Sequence, residues 1–399
     1  MRLLQINVTA NVGSTGRIAE QIGLLAKHQG WESYIAYGRS AQSSNTNLIK
    51  VGNILDILYH GLITRLFDRH GLGSRMATKR LVKKIQRIQP DIIHLHNVHG
   101  YYLNYKILFE YLATTPIPVV WTLHDCWSFT GHCAHFVGVG CDKWKEQCRS
   151  CPLTNQYPKS FVDGSTRNYN VKKTLFNKLL GRLTIVPVSH WLEGYLEQSF
   201  LQQHNIQTIA NGVDISVFRP QPSVVNQLNT KTIIGVSSVW NDSKGLGDFI
   251  KLRQLLPQTI AIKLVGLSAE QVESLPEGIV GVVRTRNVEE LVDVYSGADA
   301  FVNPTYADTF PTVNLEALAC GIPIITYRTG GSPEAVTSET GVVVEQGNLE
   351  ELKNAIMAVL SNGKSYYSAA CRKRAEEHFD KDKCFQKYID LYKEILSKK

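Results

Sequence analysis

The sequence has no apolar run long enough to cross a membrane as a helix. Such a span needs about 20 consecutive, mainly apolar residues, whereas the hydrophobic residues here, 43% of 399, fall into short groups. The first residues, MRLLQINVTANVG, also lack the hydrophobic region and small-residue cleavage site of a secretory signal. These absences argue against a membrane-spanning or secreted protein, and we expect a cytoplasmic location. In that compartment the eight cysteines are expected as thiols or metal ligands rather than disulfides.

Motifs for nucleic acid and for the common nucleotide folds are missing too. The turn Asn11–Arg17 is rich in glycine, but it has the spacing of neither a Walker loop nor a dinucleotide fingerprint. The net charge of +8 is accompanied by no recognised nucleic-acid motif. A length of 399 residues exceeds what one hydrophobic core normally organises. We therefore expect two domains of ordinary globular composition and no nucleic-acid partner.

The positive charge that is present is concentrated in one segment. Between Gly61 and Pro90 there are eight basic residues and one acidic residue, Asp68. A helix predicted over Met76–Ile88 carries several of these basic side chains outside its apolar side. The segment 65–87 could contact an anionic membrane, on the inner face of the plasma membrane, or a diphosphate-linked acceptor. The alternative is a surface helix whose basic side chains are only solvated.

The pattern of apolar segments predicts an α/β protein with two parallel sheets. In the first half, short apolar strands alternate with helices, which is typical of a parallel sheet covered on both faces. A turn-rich segment, Asn211–Pro220, marks a domain crossing, and the pattern then restarts. The predicted strands are Leu3–Val8, Trp31–Tyr37, Asp91–Leu95, Pro118–Leu123 and Thr184–Val188 in the first half, and Ile233–Val236, Ile262–Val265, Gly281–Val283, Ala300–Asn303 and Ile322–Tyr327 in the second.

These segments predict domain boundaries. Residues 1–215 form the first domain, with a cysteine-rich insert at 126–152, and residues 216–379 form the second. Ligands of parallel sheets bind at the carboxyl ends of the strands. We expect the two Rossmann-like domains to present those ends to a shared cleft.

The segment Asp308–Pro323, DTFPTVNLEALACGIP, is the most informative part of the sequence. It places two carboxylates, Asp308 and Glu316, eight positions apart across the start of a predicted helix. Pro311 suits the first helical turn, where its missing N–H costs nothing. The free N–H groups and partial positive charge of a helix start favour a phosphate. Carboxylates on either side can bind sugar hydroxyls, so the segment predicts a nucleotide-sugar site; the alternative is an ordinary strand-loop-helix unit with solvated acids.

This segment resembles the acid-x7-acid signature of the retaining glycosyltransferases of family four, which have the GT-B fold. The resemblance implies that Asp308 binds hydroxyls of the donor sugar and that Glu316 binds the ribose. Most members have Glu at the first position and Gly after the Phe, whereas this sequence has Asp308 and Pro311. The residues expected to contact the donor at this helix start are Phe310, Pro311, Thr312 and Val313.

Lys244 matches the Lys-Gly pair of the same family, and the resemblance places its ammonium group on the donor diphosphate. The leaving group is a nucleoside diphosphate whose growing negative charge must be neutralised. The family usually has an arginine five residues earlier, where this sequence has Val239. Compensation is expected either from Arg17 or from donors around Ser237 and Ser238.

Three further positions are assigned to the donor by the resemblance. Gly13 and Gly16 of the glycine-rich turn are expected to approach donor phosphate and acceptor closely. Arg284 follows a predicted strand, where family members contact the nucleobase.

His124 ends a predicted strand at the carboxyl edge of the first sheet, where family members carry a histidine that contacts the donor sugar. The resemblance thus makes His124 a catalytic residue, together with Lys244 and Asp308. Asp125 is expected either to orient His124 or to bind acceptor hydroxyls. Asn97 and His99 follow another strand and are assigned to the acceptor side; with His94 and His96 they could instead form a metal site.

Four cysteines fall within 19 residues and end in a Cys-x-x-Cys pair. They could satisfy a tetrahedral structural zinc in a loop-rich insert that has little core of its own. Similar inserts occur in a bacterial subgroup that includes colanic-acid and capsule glycosyltransferases. The alternative is a set of reduced thiols. The four residues are Cys133, Cys141, Cys148 and Cys151.

The resemblance covers nearly the whole chain and implies a retaining, metal-independent transferase of a hexose-type sugar. The donor would be a nucleoside-diphosphate sugar and the acceptor a hydroxyl of a lipid-linked oligosaccharide in capsule, exopolysaccharide or O-antigen assembly. Asp380-x-Asp382 has the form used by metal-dependent enzymes of another fold, but helix capping explains it better. A final helix over 380–399 is expected to return to the first domain. Two alternatives stay open: a GT-B nucleotide-sugar epimerase and a non-catalytic nucleotide-sugar-binding module.

Overall fold

A computed structural model of the chain describes residues 1–221 and 231–398. These residues fold as two compact units, one formed by 1–210 with 385–398 and the other by 211–384 outside the undescribed stretch. Residues 222–230 of the predicted second domain and Lys399 of the predicted return helix lie outside the described residues.

The first unit is built on a parallel sheet of seven strands among the described residues. The strands are β1 Arg2–Asn7, β2 Glu32–Tyr37, β3 Asn47–Lys50, β4 Ile92–Leu95, β5 Val119–Leu123, β6 Leu183–Pro187 and β7 Asn205–Ile206. Their order in the sheet is β3-β2-β1-β4-β5-β6-β7, and β4, β5 and β6 are buried along their whole length. Burial on both faces explains why these strands are continuously apolar rather than alternating.

Six helices connect these strands in the described chain. The helices are α1 Gly13–His28, α2 Ile54–Phe67, α3 Arg75–Ile88, α4 Tyr105–Ala113, α5 Ser165–Phe176 and α6 His190–Leu196. In α3 the buried side chains include Ala77, Leu81 and Ile85, which are spaced four residues apart. One stripe of this helix therefore faces the protein, and the basic side chains face outward.

The second unit contains a parallel sheet of six strands within the described residues. Its strands are β8 Lys231–Val236, β9 Ile260–Val265, β10 Ile279–Val282, β11 Ala300–Asn303, β12 Ile324–Tyr327 and β13 Gly341–Val344. Their order in the sheet is β10-β9-β8-β11-β12-β13. Its helices are α7 Leu246–Leu255, α8 Ala269–Glu273, α9 Val288–Ser296, α10 Thr312–Ala319, α11 Leu349–Asn362 and α12 Lys364–His378.

The final helix, α13 (Lys381–Ser397), returns to the first unit from Phe385 onward. Two buried tyrosines fix it there. The Tyr392 hydroxyl lies 2.6 Å from Nδ1 of His94, and the Tyr388 hydroxyl lies 3.0 Å from Oγ1 of Thr122. The last helix is therefore hydrogen-bonded to the central strands β4 and β5.

All ten predicted strands occur, with ends shifted by at most two residues. The sequence analysis missed β3, β7 and β13, of which β7 has two residues and β3 is largely exposed. The predicted turn at Gly13–Gly16 is instead the first turn of α1. The prediction also missed α2, because its apolar residues occur all round the helix and show no helical period.

Among the described residues, the helices are all too short or too polar to span a bilayer.

Candidate functional site

In the second unit, the loops that follow β8, β11 and β12 meet at the carboxyl edge of the sheet. The strand order reverses between β8 and β11, and at such a switch point the two loops diverge and leave a crevice. The backbone N–H of Tyr306 donates to the carbonyl of Ser243 (2.8 Å), and that of Gly331 donates to Thr309 (3.0 Å). These bonds hold the three loops in a fixed relation.

Lys244 and Asp308 form an ion pair at this crevice. The Lys244 Nζ lies 2.6 Å from Oδ2 of Asp308 and donates to the carbonyl of Ala307 at 3.1 Å. Both side chains are partly exposed, at 29% and 22%. Gly245 next to Lys244 has a φ of +74°, and a Cβ there would lie 2.2 Å from the carbonyl oxygen of Pro304. The glycine is therefore needed to bring the lysine loop against the loop that carries Asp308.

α10 begins directly after this loop. Its start at Pro311 has no side-chain hydrogen-bond cap from the described residues, and its first turn contains no acidic residue. The N-terminal N–H groups therefore keep their capacity to bind an anion. Phe310 is buried and packs on Phe379, with ring centroids 5.8 Å apart. This packing fixes the direction in which the chain enters the helix.

Glu316 lies one turn further along α10 and is nearly buried, at 9% exposure. The Tyr295 hydroxyl donates to its Oε2 at 3.0 Å. Burial and the adjacent Glu316 carboxylate raise the pKa of Tyr295 well above its usual value, so the tyrosine stays a donor. The structure thus gives the second carboxylate a defined orientation.

A supporting network that the sequence analysis missed lies behind the ion pair. The Tyr306 and Tyr327 hydroxyls both donate to Oδ2 of the buried Asp248, each at 2.8 Å. Burial and the Asp248 hydrogen bond raise the pKa of Tyr306 to about 12. A buried carboxylate needs such partners, but the burial of Asp248 shows only in the folded unit, so the sequence carries no signal for this network.

Two further positions singled out in the sequence, Val239 and Arg284, are exposed. Val239 is 64% exposed in the loop after β8, and the neighbouring Ser237 hydroxyl donates to its carbonyl at 2.8 Å. Arg284 is also exposed, while Arg286 pairs with Glu290 at 3.2 Å.

In the first unit, the switch point lies between β1 and β4, and the predicted glycine-rich turn follows β1. Gly13 is exposed with a φ of +67°, and a Cβ there would meet nothing within 4 Å. Gly16 differs, because it is buried and its Cβ would lie 2.7 Å from Oγ1 of Thr9. Arg17 is exposed on α1. Gly16 therefore serves close packing within the turn, and Gly13 and Arg17 are the members open to a ligand.

His124 hydrogen-bonds a second buried histidine. Its Nε2 lies 3.2 Å from Nδ1 of His96, whose Nε2 lies 3.0 Å from Oε1 of Gln5. The Gln5 amide nitrogen donates to Ala19, so its oxygen must accept. We assign the proton of His96 to Nε2 and that of the neutral His124 also to Nε2, from this network. The Nδ1 of His124 then carries a lone pair and can accept a hydrogen bond.

Asp125 hydrogen-bonds His99 rather than orienting His124. Its Oδ2 lies 2.9 Å from Nε2 of His99, and its Oδ1 accepts from the N–H of Trp127 at 2.9 Å. Burial alone would raise the pKa of Asp125, but the charge and hydrogen bond of His99 hold it well below its usual range. The carbonyl of Asn97 accepts from Tyr102 at 2.8 Å, which fixes the backbone of this predicted acceptor residue.

The four clustered cysteines line one pocket with His132. The Nδ1 of His132 lies 2.8 Å from Oδ1 of Asp68, and its buried Nε2 has no hydrogen-bond partner among the described residues. The N–H of Gly131 donates to the sulfur of Cys148 at 3.2 Å. In the described part of the chain, however, no three His, Cys, Asp or Glu side chains converge as a metal site, and this includes the histidines after β4.

Comparison with known families shows agreement over both units. A profile described as Glycosyltransferase Family 4 matches residues 17–217, and one described as Glycosyl transferases group 1 matches residues 230–362. The first match covers half of the chain.

Individual relatives match over the whole chain. The chain is 24% identical to a putative colanic acid biosynthesis glycosyl transferase, WcaC, of Escherichia coli K12, over 99% of this chain and 100% of that protein. Sucrose-phosphate synthase from Thermosynechococcus elongatus has a TM-score of 0.74 at 18% identity, covering 100% of both chains. Anabaena HepE, solved with UDP-glucose, has a TM-score of 0.66 at 16% identity, also covering 100% of both chains.

The two parallel sheets, the return of the last helix and the full-length match to these enzymes agree with the fold expected from the sequence. The chain belongs to glycosyltransferase family 4 and has the GT-B fold.

Proposed function

We propose that the protein is a retaining hexosyltransferase that uses a nucleoside-diphosphate sugar. The observation that carries the proposal is the Lys244–Asp308 ion pair at the switch point of the second sheet, with the start of α10 beside it and Glu316 within it. This arrangement offers one cation, one helix start and two carboxylates. Those groups match a diphosphate flanked by a sugar and a ribose.

Lys244 and α10 would bind the diphosphate. The ammonium group and the uncapped N–H groups supply positive charge where the leaving diphosphate gains negative charge. The ion pair with Asp308 keeps Lys244 in place before the donor arrives. Because Lys244 would neutralise the negative charge of the leaving diphosphate, the proposed reaction needs no catalytic metal.

Asp308 and Glu316 would bind the two sugars of the donor. When phosphate oxygens take over Lys244, the Asp308 carboxylate becomes available to accept hydrogen bonds from hydroxyls of the transferred sugar. Glu316, oriented by Tyr295, would accept from the ribose hydroxyls. Arg284 would contact the nucleobase, and Gly13, Arg17 and the Nδ1 lone pair of His124 are proposed to contact the donor from the first unit.

The transfer itself would proceed on one face of the sugar. The acceptor hydroxyl attacks the anomeric carbon on the side from which the diphosphate departs, and the departing phosphate oxygen takes the hydroxyl proton. A new glycosidic bond forms as the bond to phosphate breaks, so no protein nucleophile is required.

The proposed acceptor is a hydroxyl of a lipid-linked oligosaccharide in surface polysaccharide assembly, bound near Asn97, His99 and Asp125. Support comes from the full-length similarity to WcaC, whose name refers to colanic acid biosynthesis. HepE was solved with UDP-glucose, which makes UDP-hexoses the first donors to test. The enzyme would act in the cytoplasm, at the inner face of the plasma membrane.

The test is a panel of UDP-, GDP- and dTDP-sugars, screened against purified protein by thermal shift and then assayed with lipid-linked oligosaccharides. We expect one donor to raise the melting temperature and to be consumed with formation of glycosylated acceptor. Conversion of the donor to its epimer, without acceptor, would support an epimerase instead. Binding without any turnover would support a non-catalytic module.

A further inference from the structure

The helix α2 (Ile54–Phe67) buries two polar residues and exposes most of its large apolar ones. Its buried side chains are His60 and Thr64. Six large apolar side chains are exposed by 53–69%, although helices on a globular protein normally bury such residues. They are Ile54, Leu55, Leu58, Tyr59, Leu62 and Phe67.

This inverted orientation is fixed by specific hydrogen bonds. The buried His60 accepts the N–H of Gly71 at Nε2 (2.9 Å), and its Nδ1 lies 2.9 Å from the hydroxyl of Ser74. Burial lowers the pKa of His60 to about 4, so it stays neutral and can make both bonds. The helix start is closed by a capping box between Asn53 and Asp56. Rotating α2 to bury its leucines would break the bonds of His60.

The exposed apolar side of α2 continues onto a neighbouring loop. Phe161 is 69% exposed, its N–H donates to the carbonyl of Arg65 at 2.8 Å, and the Arg65 guanidinium lies over its ring at 4.5 Å. We call the six α2 side chains together with Phe161 the apolar surface. A cluster of exposed large apolar side chains is typical of an interaction site.

The start of a basic helix, α3, lies close to the start of α2. A Cβ on Gly52, just before α2, would lie within 3.1 Å of both Asp56 of α2 and Ala77 of α3, so the two helices begin side by side. On α3 the exposed side chains include Lys79, Arg80, Lys83 and Lys84. The acidic residue within the basic segment, Asp68, is buried against His132 and adds no surface charge.

We propose that the apolar surface inserts into the headgroup region of an anionic bilayer, with the basic side chains of α3 on the lipid phosphates. Apolar insertion combined with lysine and arginine at the headgroups is the chemistry by which interfacial helices bind membranes. A second copy of the chain is the main competing occupant. A two-fold interface would bring the same basic helices together, and this like-charge contact is unfavourable. The inference deepens the membrane location proposed above by naming the surface that would bind the lipid, and it does not depend on the proposed sugar transfer.

The test is flotation of the full-length protein with phosphatidylcholine vesicles that contain either no anionic lipid or about one third phosphatidylglycerol. We expect binding to the anionic vesicles, weakened by raising the salt concentration to about 1 M, at which surface charges are strongly screened. The double variant Leu58→Glu/Leu62→Glu should bind at least tenfold more weakly. Tyr366→Glu, which alters an equally exposed aromatic residue on α12, should bind like the unchanged protein.

Two measurements keep the test decisive. Melting temperature and donor-induced thermal shift report whether the double variant is folded, and they separate a failed membrane inference from a failed donor assignment. The inference is overturned if the folded protein does not bind anionic vesicles at low salt, or if the double variant floats with the vesicles as well as the unchanged protein does. It is also overturned if the protein sediments as a dimer that Leu58→Glu/Leu62→Glu separates, since a second copy would then cover the apolar surface.

Discussion

The carboxyl edges of the two sheets differ in their polar chemistry, apart from the His99–Asp125 pair that lies at the first edge. At the edge of the second sheet, charged groups are paired and partly open to solvent, as in Lys244 with Asp308. At the edge of the first sheet, the central groups are buried histidines, His94 and His96, held by neutral partners. Eleven of the twelve histidines lie in residues 1–210, with His378 the exception.

This difference indicates two roles. The second edge suits a charged ligand, and the buried histidines of the first edge suit positioning by neutral hydrogen bonds. Partly exposed charges can exchange one partner for another, so the second edge suits an anionic ligand. Buried neutral imidazoles cannot gain a proton without large cost, so the first edge supplies fixed hydrogen-bond donors and acceptors. One edge is expected to respond to charge substitutions and the other to pH.

Acid should distinguish the two edges most strongly. Burial lowers the pKa values of His94 and His96 well below 6.5, and that of His124 to about 4, where Asp125 opposes the effect. The unfolded chain therefore binds more protons between about pH 6.5 and the folded pKa values, and the free energy of unfolding falls as pH falls. Each such histidine removes about 1.4 kcal/mol per pH unit over its interval.

We therefore expect the first unit to lose its structure first as the pH is lowered from about 7 to about 4.5. Hydrogen exchange followed by mass spectrometry would locate the loss, with β4 and β5 exchanging before β8 and β11. Earlier exchange in the second unit would contradict this assignment of the buried histidines.

Substitutions of the two carboxylates at the second edge should have different effects on ligand affinity. Glu316→Gln should weaken binding of the free nucleoside diphosphate and of the intact donor, whereas Asp308→Asn should spare the free nucleotide. Losing a charged hydrogen bond costs roughly 1.5–3 kcal/mol, or about a tenfold to hundredfold change in affinity. Calorimetry with both ligands measures this, and Tyr295→Phe, which removes the Glu316 donor, should resemble Glu316→Gln in milder form. Equal losses of both ligands in the two carboxylate variants would show that their roles are not divided.

Replacing the cation should affect turnover more than folding. Lys244→Ala removes the charge that faces the leaving diphosphate, and we expect at least a tenfold lower turnover, about 1.4 kcal/mol of barrier. Lys251→Ala, on the exposed side of α7, is the matched control and should be near normal. Steady-state kinetics on both variants would decide the matter, and near-normal activity of Lys244→Ala would refute the diphosphate role.

Substitutions in the cysteine pocket should have the smallest effect on catalysis. One structural zinc held by the four cysteines stays a prediction from the sequence, because the described side chains of this pocket do not converge as a metal site. Elemental analysis should find about one metal per chain, lost in Cys148→Ser and kept in Cys320→Ser. Protein purified without chelator and free of zinc would leave a set of buried thiols.

The sequence predicted the second edge better than the first. The resemblance to the family motifs placed Lys244, Asp308 and Glu316 in one site, and the structure brings Lys244 against Asp308 before the start of α10. Their roles toward the donor stay predictions. The Asp248–Tyr306–Tyr327 network could not be predicted, because its members come from three elements that meet only in the folded sheet. The partner of Asp125 was uncertain for the same reason, since His99 comes from the loop after a neighbouring strand. The orientation of α2 was hidden because a helix that is apolar all round shows no preferred side.

The hydrogen bonds of Tyr388 and Tyr392 to the central strands have a consequence for biosynthesis. The first unit combines residues 1–210 with α13, which is synthesised after the whole second unit. Until then His94 and Thr122 lack these hydroxyl partners. The second unit can thus fold before α13 is available, and the packing of the first unit is completed only after α13 has left the ribosome.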